Sequence, residues 1–489
     1  MRPVFLSALL LTAACNQDLK ARPPVETRLY YPTGLAFVPP SDLDGGLGRI
    51  YVANSNFDRR FDIGWVTAID LASVRTPDGR SLPVPGAPIA PPPDGGSDEG
   101  RPVPYTNIAT TPDSIVTIAD FAGLATVNDA GTTLFIPSRS EGDELAVMDV
   151  SLQPDGGVPL RCYFSGGKDC TQDALRLALN NTPGDLGIPA APQPYSVTLA
   201  PDTDEIYVTH LRPASSPAQS FNNLENYLVT LHQADLDAAR ASWSADGGYI
   251  VPDEAFSTIG RGPSNSIVVA PPLDGGVGGF LYISGRAKLV STDPDVLIRV
   301  IDRQSNLIAF PQLQLVWASL DARGLQLLRR PQGDRLYLAA DNPATLLIVD
   351  LVAPNLAYLA PSFSLVRAVP LPEGPNDVQL LPRPGRAPLV VVSCSVDGSL
   401  AFYDDDLGQI AALVPGVGAV PFAIAIDRRT DWARLFVSNF GDGRIAVVDV
   451  PLTPQASDGR LAPRLVAHIG TKQFCLVATD DRNCVDNTP

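Results

Sequence analysis

Three histidines are all the imidazole that 489 residues supply: His210, His232 and His468. Haem and multi-copper sites draw on several imidazoles, so this chain is poorly equipped for either. The six cysteines contain no Cys-x-x-Cys pair, which leaves zinc without a motif. Cys162 and Cys170 bracket a short loop, as do Cys475 and Cys484, and both pairs suit local disulfides in an oxidising compartment. Cys394 is left over beside Val391, Val392 and Ser393, a run that reads as a buried strand, where a thiol is inert. Asp404-Asp405-Asp406 is the best of a poor set of calcium candidates, because it lacks several oxygen ligands at fixed spacing. There is no Gly-x-Ser-x-Gly elbow and no phosphate loop. No metal, no cofactor and no catalytic residue are therefore expected.

Composition narrows the partners. The net charge is −17, and an acidic surface repels phosphate backbones, which argues against nucleic acid. The start of the chain is a targeting signal. Met1-Arg2 is followed by an apolar run, Val4 to Ala14, too short to span a bilayer. It closes on Leu11-Thr12-Ala13-Ala14-Cys15, small residues before a Cys, as a signal peptidase accepts. This end resembles a bacterial lipobox, although Thr12 stands where Leu is commoner. The resemblance implies a lipidated Cys15 as the mature N-terminus. Asn16, in place of the Asp that resembles an inner-membrane retention signal, favours the outer membrane, on its periplasmic face or at the cell surface. Several acyl chains would anchor the protein stably.

The elements that must position any site form a repeat. A short run of β-formers recurs in seven copies, beginning with Arg49-Ile50-Tyr51-Val52-Ala53-Asn54 and ending with Arg434-Leu435-Phe436-Val437-Ser438-Asn439. A second apolar run follows each copy and closes at Asp70, Asp149, Asp235, Asp302, Asp350, Asp404 or Asp449. Further strands precede and follow, with turn formers between; 48 Pro and 40 Gly supply the turns. Four short strands per unit and seven units predict an all-β fold: a seven-bladed β-propeller of four-stranded antiparallel blades with long loop insertions. Tyr51-Val52-Ala53-Asn54 and Tyr207-Val208-Thr209-His210 resemble the YVTN-type propeller repeat. The expected organisation is a signal peptide (1–14), an acylated linker (15–28), the propeller (29–470) and a tail with the second disulfide loop (471–489). The Pro- and Gly-dense stretch from Leu71 to Ile108 reads as a flexible or extended excursion, and 173–180 as one helical segment.

Spacing between the anchor and the closing Asp places 6, 15 and 7 additional residues in blades 1, 3 and 4, between the second and third strands. Long loops on one face of a rigid scaffold serve recognition. They predict a rim of Phe57, Arg59, Arg60, Phe61, Arg212, Phe221, Tyr227, Arg286 and Lys288, since aromatics and Arg anchor protein contacts. The central funnel is predicted from strand ends, Asn54, Arg139, His210, Arg286, Asp341 and Asn439, and from connections, Tyr195, Asn265, Asn376 and Asp377. YVTN-like propellers resemble surface-layer proteins and lactonase-type enzymes. The second resemblance implies an alternative, a hydrolase using His210 with Arg139 or Arg286 in the funnel. The four Trp are too few and irregular for the blade pattern of quinoproteins. The preferred expectation is a lipid-anchored, non-catalytic binding or scaffold module of the cell envelope, held to the membrane by its lipid and meeting an envelope protein or extracellular ligand.

Overall fold

The computed structural model describes residues 28–472 apart from 41–45, 58–60, 62, 88–101, 109–111, 140–143, 152–159, 172–174, 177–192, 212–225, 244–254, 259–261, 273–277, 288–295, 315–320, 353–360 and 454–460. Seven antiparallel sheets follow one another along the chain, each built from four strands in sequence order, with extra edge strands in blades 2 and 7. Blade 1 comprises Pro32–Val38, Arg49–Asn54, Gly64–Asp70 and Ile115–Ile118, and blade 7 comprises Pro421–Arg428, Trp432–Asn439, Arg444–Pro451 and Arg464–Ile469. The first strands of successive blades touch in a closed circuit, with Pro32–Val38 meeting Pro421–Arg428 at the seam. The chain is therefore a seven-bladed β-propeller.

Burial explains the residue types. Arg49–Asn54 and Thr133–Ser138 are buried along their whole length, because a second strand is covered by the blades on both sides. Tyr51, Tyr207, Tyr282 and Tyr337 occupy equivalent places and are at most 1% exposed. Removing each ring from water contributes roughly 1.5–3 kcal/mol. Outermost strands meet solvent, and Ser362–Pro370 is exposed from Leu365 to Ala368.

The closing aspartates are structural. Asp70, Asp149, Asp302 and Asp404 each accept the amide N–H two residues on, an Asx turn that ends the third strand. Asp350, Asp404 and Asp449 also pair with Arg335, Arg383 and Arg434. Blade 3 departs from the expectation: its third strand ends at His232, and Asp235 lies on the helix Gln233–Ala241. The expected helix over 173–180 is not found in its described part, since Leu175–Arg176 pairs as a strand with Leu145 and Glu144. Two residues of pairing override a weak helical pattern there.

The described parts of the 71–108 excursion, 71–87 and 102–108, close the ring. Val103–Tyr105 leaves blade 1 and adds a parallel fifth strand to Arg464–Ile469 of blade 7. Upstream, the Gly86 N–H donates to Asp449 (2.9 Å) and Arg434 donates to the Pro83 carbonyl (2.6 Å). Leu71, Val74, Leu82, Tyr105 and Ile108 share one core with Phe436, Val447 and Val466. This strap spans the seam where the two ends of the propeller meet.

Cys162 and Cys170 form the expected disulfide, whereas Cys475 and Cys484 lie outside the described residues, as does Cys15. The bridge holds a loop whose Lys168 and Cys170 backbones pair with Thr117 of blade 1. Reduction is expected to lower the unfolding free energy by about 2–3 kcal/mol, read as a lower urea midpoint with dithiothreitol. An unchanged midpoint would mean that the loop adds nothing to the blade 1–blade 2 contact. Cys394 is buried, and burial pushes its thiol up to about 12, so it stays protonated and inert.

Candidate functional site at the channel mouth

Antiparallel pairing puts the start of each first strand beside the end of each second strand, as in Pro32 with Asn54, Pro194 with His210 and Pro421 with Asn439. These ends define one face of the ring, on which the long loops of blades 1, 3 and 4 also open. The residue just before the first strand has a left-handed φ in four blades, Tyr31, Gln193, Gly374 and Val420, and in blades 2 and 4 such a residue, Phe121 or Gly262, stands five positions ahead of the strand. Only two of the six are glycine, the residue such a conformation favours. Each larger side chain there costs about 1–2 kcal/mol in backbone strain.

Those strained turns display an aromatic wall. Tyr31 and Phe57 both pack on Phe440, at 5.0 and 5.3 Å between ring centroids, Phe57 meets Phe121 edge-on at 5.6 Å, and Phe422 lies 6.3 Å from Phe440. Phe57 remains 45% exposed. The remaining circuit is polar. The Arg139 guanidinium lies over the Tyr195 ring at 5.7 Å, and its Nε donates to the Phe121 carbonyl. Arg323 pairs with Asp321 at 2.6 Å. Asp377 accepts the Ile424 N–H (2.9 Å) and the Gln379 amide (3.3 Å), and Asn376 beside it donates to the Phe422 carbonyl.

These groups face one space. The Tyr195 phenol, pushed up to about 12 by burial, feels the charges of Arg139, Arg323, Asp377 and Asp321 from blades 2, 5 and 6. Asp377 is half-buried. Its carboxyl is pushed up to about 6 by desolvation, against the hydrogen bonds from Ile424 and Gln379.

Five predicted funnel residues, Arg139, Tyr195, Asp341, Asn376 and Asp377, lie on this face with part of their surface open, Tyr195 least at 8%. Four others are buried instead: Asn54 and Asn439 bond to backbone, His210 is 0% exposed, and Asn265 donates to the Ala322 carbonyl. The reason is layering. In blades 1, 3 and 7 the end of the second strand pairs with the start of the first strand, whose leading turn covers Asn54, His210 and Asn439, whereas Arg139 and Asp341 at the corresponding level of blades 2 and 5 stay partly open. The His210 ring is therefore not at the channel surface in this structure. Phe61 is likewise buried, against Tyr30 and Trp65. Arg286 and Tyr227 lie on strands of blades 4 and 3, and Arg59, Arg60, Arg212, Phe221 and Lys288 lie outside the described residues. Tyr31, Phe121, Phe422, Phe440 and the Asp321–Arg323 pair escaped the sequence reading. A signal existed for two of them: Tyr31-Pro32 and Pro421-Phe422 flank the prolines that open first strands.

The calcium candidate is occupied by arginine. Arg383 grips both Asp404 oxygens at 2.8 Å, Arg335 holds Asp405 and Arg386 holds Asp406. Among the described residues no three His, Cys, Asp or Glu converge as a metal site.

No protein-family model and no curated protein matches the chain. Solved structures do. Hydrazine synthase of Kuenenia stuttgartiensis is 11% identical over 91% of this chain and 98% of that one, with a TM-score of 0.46. The Swd1 β-propeller domain of Myceliophteria thermophila is 11% identical over 86% and 96%, with a TM-score of 0.47. Saccharomyces cerevisiae Sqt1 is 7% identical over 90% and 87%, with a TM-score of 0.44. Likenesses at this level bear on the fold alone.

Proposed function

We propose that this protein is a non-catalytic binding module of the cell envelope: exported by its 1–14 leader, lipidated at Cys15, and capturing an envelope protein or extracellular ligand at the channel mouth. The small-small-Cys end of the leader supports the anchor. The resemblance of Tyr51-Val52-Ala53-Asn54 to the YVTN repeat supports a surface-type propeller. The observation that carries the binding role is the strain at the mouth. Phe121, Gln193 and Val420, all partly exposed, adopt a left-handed φ that glycine would adopt freely, so display of these side chains is what the backbone cost obtains.

A photo-crosslinking residue at Phe57 tests this in intact cells. Leu407, exposed in a turn on the opposite face, is the control position. Reproducible adducts are expected from Phe57 and not from Leu407, with Cys15→Ser moving the protein into the soluble fraction. Equal labelling at the two positions, or none at Phe57, would sink the reading.

A further inference from the structure

We propose that the mouth takes an organic cation, an amine or quaternary ammonium group, with its charge toward Asp377 and its apolar substituents on the aromatic wall. This rests on the reading of the mouth as a binding site. Three observations specify the sign of the ligand. First, the two arginines whose side chains are described at the mouth are engaged, Arg323 by Asp321 at 2.6 Å and Arg139 by the Phe121 carbonyl and the Tyr195 ring. Second, the Asp377 carboxylate is met only by neutral donors, the Ile424 N–H and the Gln379 amide; among the described residues no Lys or Arg pairs with it. A carboxylate desolvated without a countercharge is a place where a ligand cation gains most. Third, Asp377 leans on the first strand of blade 7, the strand that carries Phe422, and Phe422 leads to Phe440, Phe57 and Tyr31. Aromatic faces attract ammonium groups, most strongly where water is partly excluded. The net charge of −17 draws cations to the molecule from further away.

The probe is choline, with 3,3-dimethylbutan-1-ol as its uncharged isostere and acetate as an anion of opposite sign. Saturation-transfer NMR on the full chain reads binding of each. Choline is expected to bind at least about tenfold more tightly than the isostere, since charge pairing and cation–π contact are both lost without the charge. Asp377→Asn keeps the acceptor for the Ile424 N–H and is expected to weaken choline by about tenfold or more while leaving thermal stability at pH 7 no lower than wild type. A residue with a merely structural role would lose stability instead. Choline affinity should rise by roughly tenfold from pH 5 to pH 7 as the Asp377 carboxyl ionises. The other charged or titratable groups near it are Arg139, Tyr195, Asp321 and Arg323. Equal binding of choline and isostere overturns the cation and leaves an apolar mouth. Acetate binding that disappears in Arg323→Ala overturns it in favour of an anion. Binding of none of the three overturns it as well, and the Phe57 crosslink then decides separately whether the mouth binds anything.

Discussion

Arg434→Ala is expected to destabilise the propeller by about 3–5 kcal/mol, the cost of leaving one member of a buried ion pair without its partner. Arg434 and Asp449 are each 1% exposed and meet through two bonds, at 2.7 and 3.0 Å. The same guanidinium donates to the Pro83 carbonyl of the strap, and the same carboxylate accepts the Gly86 N–H. Alanine therefore leaves the buried Asp449 with only the Gly86 N–H and the more distant Arg464 at 3.8 Å, and loosens the segment that spans the blade 1–blade 7 seam. Urea unfolding of the purified protein is the measurement. Arg386→Ala is the control, because Arg386 is 34% exposed beside Asp406, and pairs of that kind contribute about 0–1 kcal/mol. A loss below about 1 kcal/mol for Arg434→Ala would show that ring closure does not depend on this pair.

Gly123→Val should cost about 3 kcal/mol or more and empty the mouth at the same time. The Gly123 backbone conformation is ordinary, so the constraint is space alone. A Cβ there overlaps the Tyr195 carbonyl oxygen and sits 3.0 Å from the Pro137 ring. That carbonyl also accepts the Leu124 N–H, so blades 2 and 3 are joined at this point, and Tyr195 carries the ring on which Arg139 lies. Gly79 makes the contrast. Its φ is +87° with nothing within 4 Å of a built Cβ, so Gly79→Ala should cost only about 1–2 kcal/mol, from backbone strain. Thermal melts of the two variants separate overlap from strain. A Gly123→Val protein that melts with wild type would show that blade 3 shifts freely to admit the side chain.

Much of the fold was legible because it is written at short range. Runs such as Arg434 to Asn439, turn formers at regular spacing and closing aspartates are local patterns, and each describes one strand or one turn. The failures fall where a local pattern competes with a distant partner. Leu175 and Arg176 pair with the Glu144–Asp149 strand instead of forming a helical turn, and Asp235 is drawn into a helix after His232. The strap is the largest such case. Its Pro- and Gly-rich composition predicted an extended excursion, but nothing local in Val103–Tyr105 points to Ala467–Ile469, more than 360 residues away.

The site divides along the same line. By itself the sequence determined seven repeats, the disulfide between Cys162 and Cys170, the scarcity of imidazole and the face on which loops accumulate, since all of these are counts or spacings along the chain. Which side chains line the channel was decided only by tertiary structure. Asn54, His210 and Asn439 end their strands as predicted, yet closure of the ring lays a first strand and its leading turn over them. The same closure brings Tyr31 from one end of the chain against Phe440 from the other, and sets Asp377 where desolvation raises its proton affinity. Burial and juxtaposition belong to the closed ring, and no single blade contains them.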